Sequence, residues 1–235
     1  MKGDGVSTTR AERDTRVHQV VFRWTDQHLL GGRGIGPVGT SLPEQRDLAR
    51  WSDLLDNGDL VGPMHPDRPA VGLLRPRSRS GLAVIVRADA VPTSSRGSHQ
   101  VHALVGAADV LTARLALGLR DWTGWLPPED GPLPDPQLEA LDAAALEAAC
   151  ARPGSADPGE VAALLRHVLH HPDYHFHFAG AASDPYALGH ALASLLDVSL
   201  MVEGDVQAVT AQPRIAVTME KTHLRIPPSH WYRKS

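Results

Sequence analysis

Apolar positions along the chain follow two periods, and the change from one to the other outlines the elements. Val17-His18-Gln19-Val20-Val21-Phe22-Arg23-Trp24 is a run of β-branched and aromatic residues bounded by Thr25-Asp26, which predicts a strand. The glycine cluster Gly31–Gly39 reads as the loop that follows it. Leu48, Trp51, Leu54 and Leu55 then recur at spacings of three and four, predicting a helix from Leu42 to Asn57. Ser41 and Glu44 are placed to cap its start reciprocally, and Gly58 to stop it. Short apolar runs at Ala70–Leu74, Leu82–Arg87 and Gln100–Val105 predict three more strands, and Asp109–Leu119 a second helix. Strand, helix, three strands, helix is not the alternation of a wound parallel sheet. It predicts an α+β unit whose sheet is mostly antiparallel.

The second half opens after Pro127-Pro128-Glu129-Asp130-Gly131-Pro132-Leu133-Pro134-Asp135-Pro136, where proline removes the N–H groups that regular structure needs. Asp135-Pro136, Asp157-Pro158 and Asp184-Pro185 each set an N-cap acid before a proline at the first helical position. Helices are expected after each, the first spanning Gln137–Cys150. Strands are expected at Tyr174–Phe178, Val198–Val202 and Arg214–Met219. The resulting division is a polar tail at 1–16, an N-terminal α+β domain at 17–126, a proline-rich linker at 127–136, a smaller α/β domain at 137–226 and a tail at 227–235.

Composition narrows the class of function. A net charge of −4 argues against a surface that neutralises nucleic-acid phosphates. One cysteine, Cys150, excludes a disulfide framework and any multi-cysteine metal centre, which fits a reducing compartment such as the cytoplasm. The first sixteen residues lack the apolar core of a signal peptide, and no stretch has the ~18 apolar residues of a membrane span.

Candidate chemistry is sparse. The glycine cluster has Arg33 but no lysine before a Ser or Thr, so it is no phosphate-binding P-loop. Gly34-Ile35-Gly36-Pro37-Val38-Gly39 fits G-x-G-x-x-G, yet it begins ten residues after the predicted strand and ends before the helix, whereas the dinucleotide turn must join the two. No G-x-S-x-G elbow occurs. His167, His170, His171, His175 and His177 fall within eleven residues and offer imidazoles for a divalent transition metal. The plainer reading of this group is a solvated helix end, with no cofactor. Arg96, His99 and His102 form the other compact polar group, suited to an anionic ligand or partner, and Arg33 is a further candidate.

His18–Trp24, Gly34–Ser41 and above all Arg96-Gly97-Ser98 followed by His102-Ala103-Leu104-Val105-Gly106 resemble the bacterial GTPase-associated protein 1 family, particularly its actinobacterial members. The order of Val161–Leu169, Tyr174–Phe178, Asp184–Leu196 and Arg214–Thr218 is similar to the family's middle region, so the resemblance runs from Val17 to Met219. It implies a further C-terminal region, relative to which this chain is expected to be short. It also implies a non-catalytic interaction or regulatory module in a GTPase-linked signalling or conflict system, with a GTPase or another protein of that system as partner. The alternative is a metal-dependent hydrolase using the histidine cluster.

Overall fold

Alternation inside the strands decides the architecture. The computed structural model describes residues 16–56, 70–74, 81–91, 99–129, 133–152, 154–170, 175–178, 184–195, 199–203 and 214–218. Their elements are β1 (Arg16–Thr25), β2 (Gly34–Thr40), α1 (Gln45–Asp56), β3 (Ala70–Leu74), β4 (Leu82–Ala90), β5 (His99–Ala107) and α2 (Ala113–Gly118). These are followed by β6 (Leu141–Asp142), α3 (Ala143–Ala149), α4 (Pro158–His170), β7 (His175–Phe178), α5 (Pro185–Leu195), β8 (Ser199–Glu203) and β9 (Arg214–Thr218). The strands form one sheet in the order β2-β1-β5-β4-β3-β8-β9-β7, with β6 paired to the start of β1. Every pairing between named strands is antiparallel, which makes this the expected α+β fold. The pairing of β3 with β8 carries strands from both sides of the proline-rich stretch into the same sheet.

Successive side chains of a strand point to opposite faces, and here both faces are covered. Val20, Phe22, Val84, Val86, Ala88, Val101, Ala103 and Val105 pack on one face against Leu48 and Trp51 of α1. On the other, Val17, Leu73, Ala83, Ile85 and Leu104 meet Leu111, Leu115, Ala116 and Leu119 around α2, together with Trp125 and Leu146. Two-sided burial explains why Leu82–Val86 reads as a continuous apolar run.

Four local expectations change. The helix expected over Asp109–Leu119 shortens to α2, Ala113–Gly118, which Thr112 starts by accepting the Leu115 N–H at 3.2 Å. The second half of the glycine cluster is strand β2, not loop: Gly34–Thr40 lies against β1, with a bulge where Val21 pairs Gly39 and Phe22 pairs Pro37. Within the cluster Gly31, Gly32 and Gly34, at φ of 78°, 118° and 133°, have the positive φ that glycine favours and make the turn into β2. Ser41 does not cap α1. Its hydroxyl accepts the Gln19 N–H at 2.8 Å and its own N–H donates to the Gln19 carbonyl, so the helix starts later, at Gln45. The helix expected over Gln137–Cys150 shrinks to Ala143–Ala149, where Asp142 accepts the N–H groups of Ala144 and Ala145. Ahead of it the Pro136 carbonyl takes the Thr40 N–H and the Leu138 N–H donates to the Thr40 carbonyl, which ties this backbone to the edge of β2. The other two Asp-Pro starts hold, at α4 and α5.

Candidate functional site

His102 and His99 stand on opposite faces of the sheet. Val101, Ala103 and Val105 belong to the α1 side, and by strand parity so does His99; Gln100, His102 and Leu104 belong to the α2 side. Arg96 lies outside the described residues. Arg33 sits in the β1–β2 turn, its guanidinium 5.3 Å from the centre of the Trp24 ring and its Nε 3.0 Å from Asp26. His99 Nε2 is buried and has no hydrogen-bond partner among the described residues. The four residues singled out as a ligand group therefore do not converge as a set.

Around His102 the α2 side of the sheet turns polar. Antiparallel register places Val21, His102 and Arg87 in one row across β1, β5 and β4, and Gln100 opposite Asp89 in the next, beside Arg23. Arg23 Nε donates to Gln100 Oε1, and Gln100 Nε2 donates to the Leu126 carbonyl at 2.6 Å. Arg23 Nη2 reaches the Pro127 carbonyl at 3.3 Å. Arg87 grips Asp89 with two bonds of 2.8 and 3.1 Å, and its Nη1 donates to the Arg120 carbonyl. Gln19, Arg23, Asp89, Gln100 and His102 are all buried, so these bonds offset a desolvation that is costly when unmet.

The tautomer of His102 follows from its partners. The Leu126 N–H donates to Nδ1 at 3.2 Å, so Nδ1 carries no hydrogen; Nε2 carries it and donates to Gln19 Oε1 at 2.9 Å. Gln19 is held in turn by donating to the Glu139 carbonyl. The Trp125 indole and the imidazole meet edge to face, with ring centres 5.1 Å apart. Burial, and secondarily the Arg87 charge, lowers the His102 pKa to about 3. With both nitrogens engaged, this neutral ring is a fastener between the sheet and the covering segment. It has no lone pair left for a metal and no free face for a substrate proton.

Of the histidine group, His170 has a described side chain and is exposed; the side chains of His167, His171, His175 and His177 lie outside the described residues. Burial raises the Cys150 thiol, which disfavours the thiolate. A small cleft between α2 and α5 is lined by Leu117, Arg120, Arg152, Asp184 and Tyr186. There Arg120 bonds Asp184 at 3.1 Å and lies over the Tyr186 ring, while burial pushes the Tyr186 hydroxyl up to about 12. Among the described residues no helix is long and apolar enough to cross a membrane.

Gln19, Arg23, Arg87, Asp89 and Gln100 were not among the expected site residues, although their signal is present in the sequence. Gln19 and Arg23, Arg87 and Asp89, and Gln100 and His102 are same-face pairs in otherwise apolar strands, spaced by two or four residues. Three such pairs become one polar layer only when pairing is known. Comparison with protein-family models, with curated proteins and with solved structures gives no match for this chain.

Proposed function

We propose that the chain is a non-catalytic interaction and regulatory module of a bacterial GTPase-linked system, acting in the cytoplasm on a GTPase or another protein of that system. One observation carries the interaction role. The β1–β2 turn presents Trp24, Arg33 and Ile35 together, with Ile35 paired to Trp24 across the strands and 66% exposed. Tryptophan and arginine are the residue types in which interface energy concentrates, and the left-handed glycines of this turn pre-set its shape. The engagement of both His102 nitrogens within the fold supports binding over catalysis. The GTPase link rests on the resemblance of Arg96–Gly106 alone.

On this reading the module needs no cofactor and binds no nucleic acid. Pull-down of a GTPase encoded beside it, loaded with GDP or a GTP analogue, is expected to retain the wild-type chain, with at least tenfold weaker retention of Ile35→Asp. Absence of wild-type retention in both nucleotide states would overturn the GTPase link. Equal retention of the variant would remove the turn from the interface. Stoichiometric zinc, manganese or nickel that disappears in His170→Ala/His175→Ala would replace the adaptor with a metal-dependent reading.

A further inference from the structure

Among the described residues, five of the six buried polar or charged side chains lie on one half of one sheet face: Gln19, Arg23, Asp89, Gln100 and His102. The stretch that covers them, Arg120–Pro128, contains no helix or strand, and Trp125 is its one buried residue. Four hydrogen bonds to sheet side chains hold it, through the Arg120, Leu126 and Pro127 carbonyls and the Leu126 N–H. Lifting a segment off an apolar face exposes hydrocarbon to water and is opposed in proportion to area. Lifting this one exposes amides, guanidiniums and an imidazole, whose lost bonds water replaces, so that extraction of Trp125, with Trp122 packed beside it, is the main apolar cost, and the exposed Arg120–Asp184 pair is exchanged for water with them.

The geometry points to Arg120–Pro128 being a strap that opens as a unit without global unfolding, with His102 making its opening responsive to acid. When the strap is closed, His102 Nδ1 is occupied by the Leu126 N–H and Nε2–H by Gln19, so a proton can enter only by breaking the strap bond. The charged groups on the elements packed around it are Arg23 on β1, Arg87 and Asp89 on β4, and Arg120 and Asp121 on the strap itself. Arg87, the cation opposite His102 in the register, further opposes a second positive charge. Once the strap lifts, the ring meets water and takes a proton in the range usual for histidine, near 6.5. Opening is therefore favoured as pH falls through that range, by about tenfold between pH 7.5 and pH 5.5.

Residue-resolved hydrogen exchange on the full chain, corrected for intrinsic rates, tests this through the Leu126 amide. Leu126 is expected to be at least 100-fold less protected than the Ile85 and Leu104 amides of the β4–β5 ladder, and to lose about tenfold more protection at pH 5.5 than at pH 7.5. His102→Gln, which retains an acceptor for Leu126 but cannot titrate, is expected to abolish that pH response. Leu126 protection equal to the ladder's, or unchanged with pH in the wild type, overturns the proposal. Should His102→Gln fail to fold, the wild-type ratio and its pH response decide the matter alone.

Discussion

Gln100 is the residue on which the polar layer turns. Its oxygen receives Arg23 and its nitrogen serves the Leu126 carbonyl, so one fully buried side chain joins β1, β5 and the segment above them. Replacing it with leucine keeps the volume and removes both bonds, leaving the part-buried Leu126 carbonyl and an Arg23 guanidinium N–H without that partner. Truncating one side of a buried hydrogen bond costs the desolvation of what remains, roughly 1–3 kcal/mol per group. Gln100→Leu is expected to lower unfolding stability by about 2–4 kcal/mol in urea titration, whereas Ile35→Ala on the surface stays within about 0.5 kcal/mol. Equal midpoints for Gln100→Leu and wild type would mean that the layer contributes nothing to the fold. The same logic explains His102, which the sequence singles out as a candidate for binding an anionic ligand: the polar atoms are there, but the fold itself has taken them up.

At the scale of elements, identical local signals have different outcomes. Asp157 accepts the Glu160 N–H at 3.0 Å and starts the thirteen-residue α4, while Asp135 accepts the Gln137 N–H at 2.8 Å and starts no helix. The difference lies outside the dipeptide: the backbone after Asp135 is drawn onto Thr40 at the edge of β2. Asp157→Ala should cost about 1 kcal/mol, as loss of an N-cap does, and Asp135→Ala less than half of that. Equal losses in urea titration of the two variants would refute the distinction. The same contrast marks what periodicity makes legible. Strands such as β3, with its bounds Ala70–Leu74, and helices such as α4, where an apolar stripe continues behind the cap, follow from local pattern alone. Strand β2 does not, because glycine and proline carry little strand preference and β1 supplies the pairing that makes it extended. Nor does the polar layer: Arg23 meets Gln100 across 77 positions, and Gln19 meets the Glu139 carbonyl across 120.

The molecule as a whole inherits a pH dependence from this layer. His102 is held neutral in the fold, with its pKa lowered to about 3, while the unfolded chain protonates it near 6.5. Between those values the unfolded state binds more protons, so stability rises with pH there and is lost as the solution is acidified from about 6.5 toward 3. Above 6.5 both states are neutral and this contribution is flat. Since each pH unit within the window is worth at most about 1.4 kcal/mol, His102 alone should remove roughly 2–3 kcal/mol between pH 7 and pH 4.5. Other groups titrate in the same range, so the informative quantity is the difference between wild type and His102→Gln. The variant is expected to start less stable at pH 7 and to lose about 2–3 kcal/mol less on acidification, so that the two urea-midpoint curves converge. Parallel curves would show that His102 gains a proton as readily folded as unfolded. The imidazole would then be wet, and the seal made by Leu126 and Trp125 would not exist.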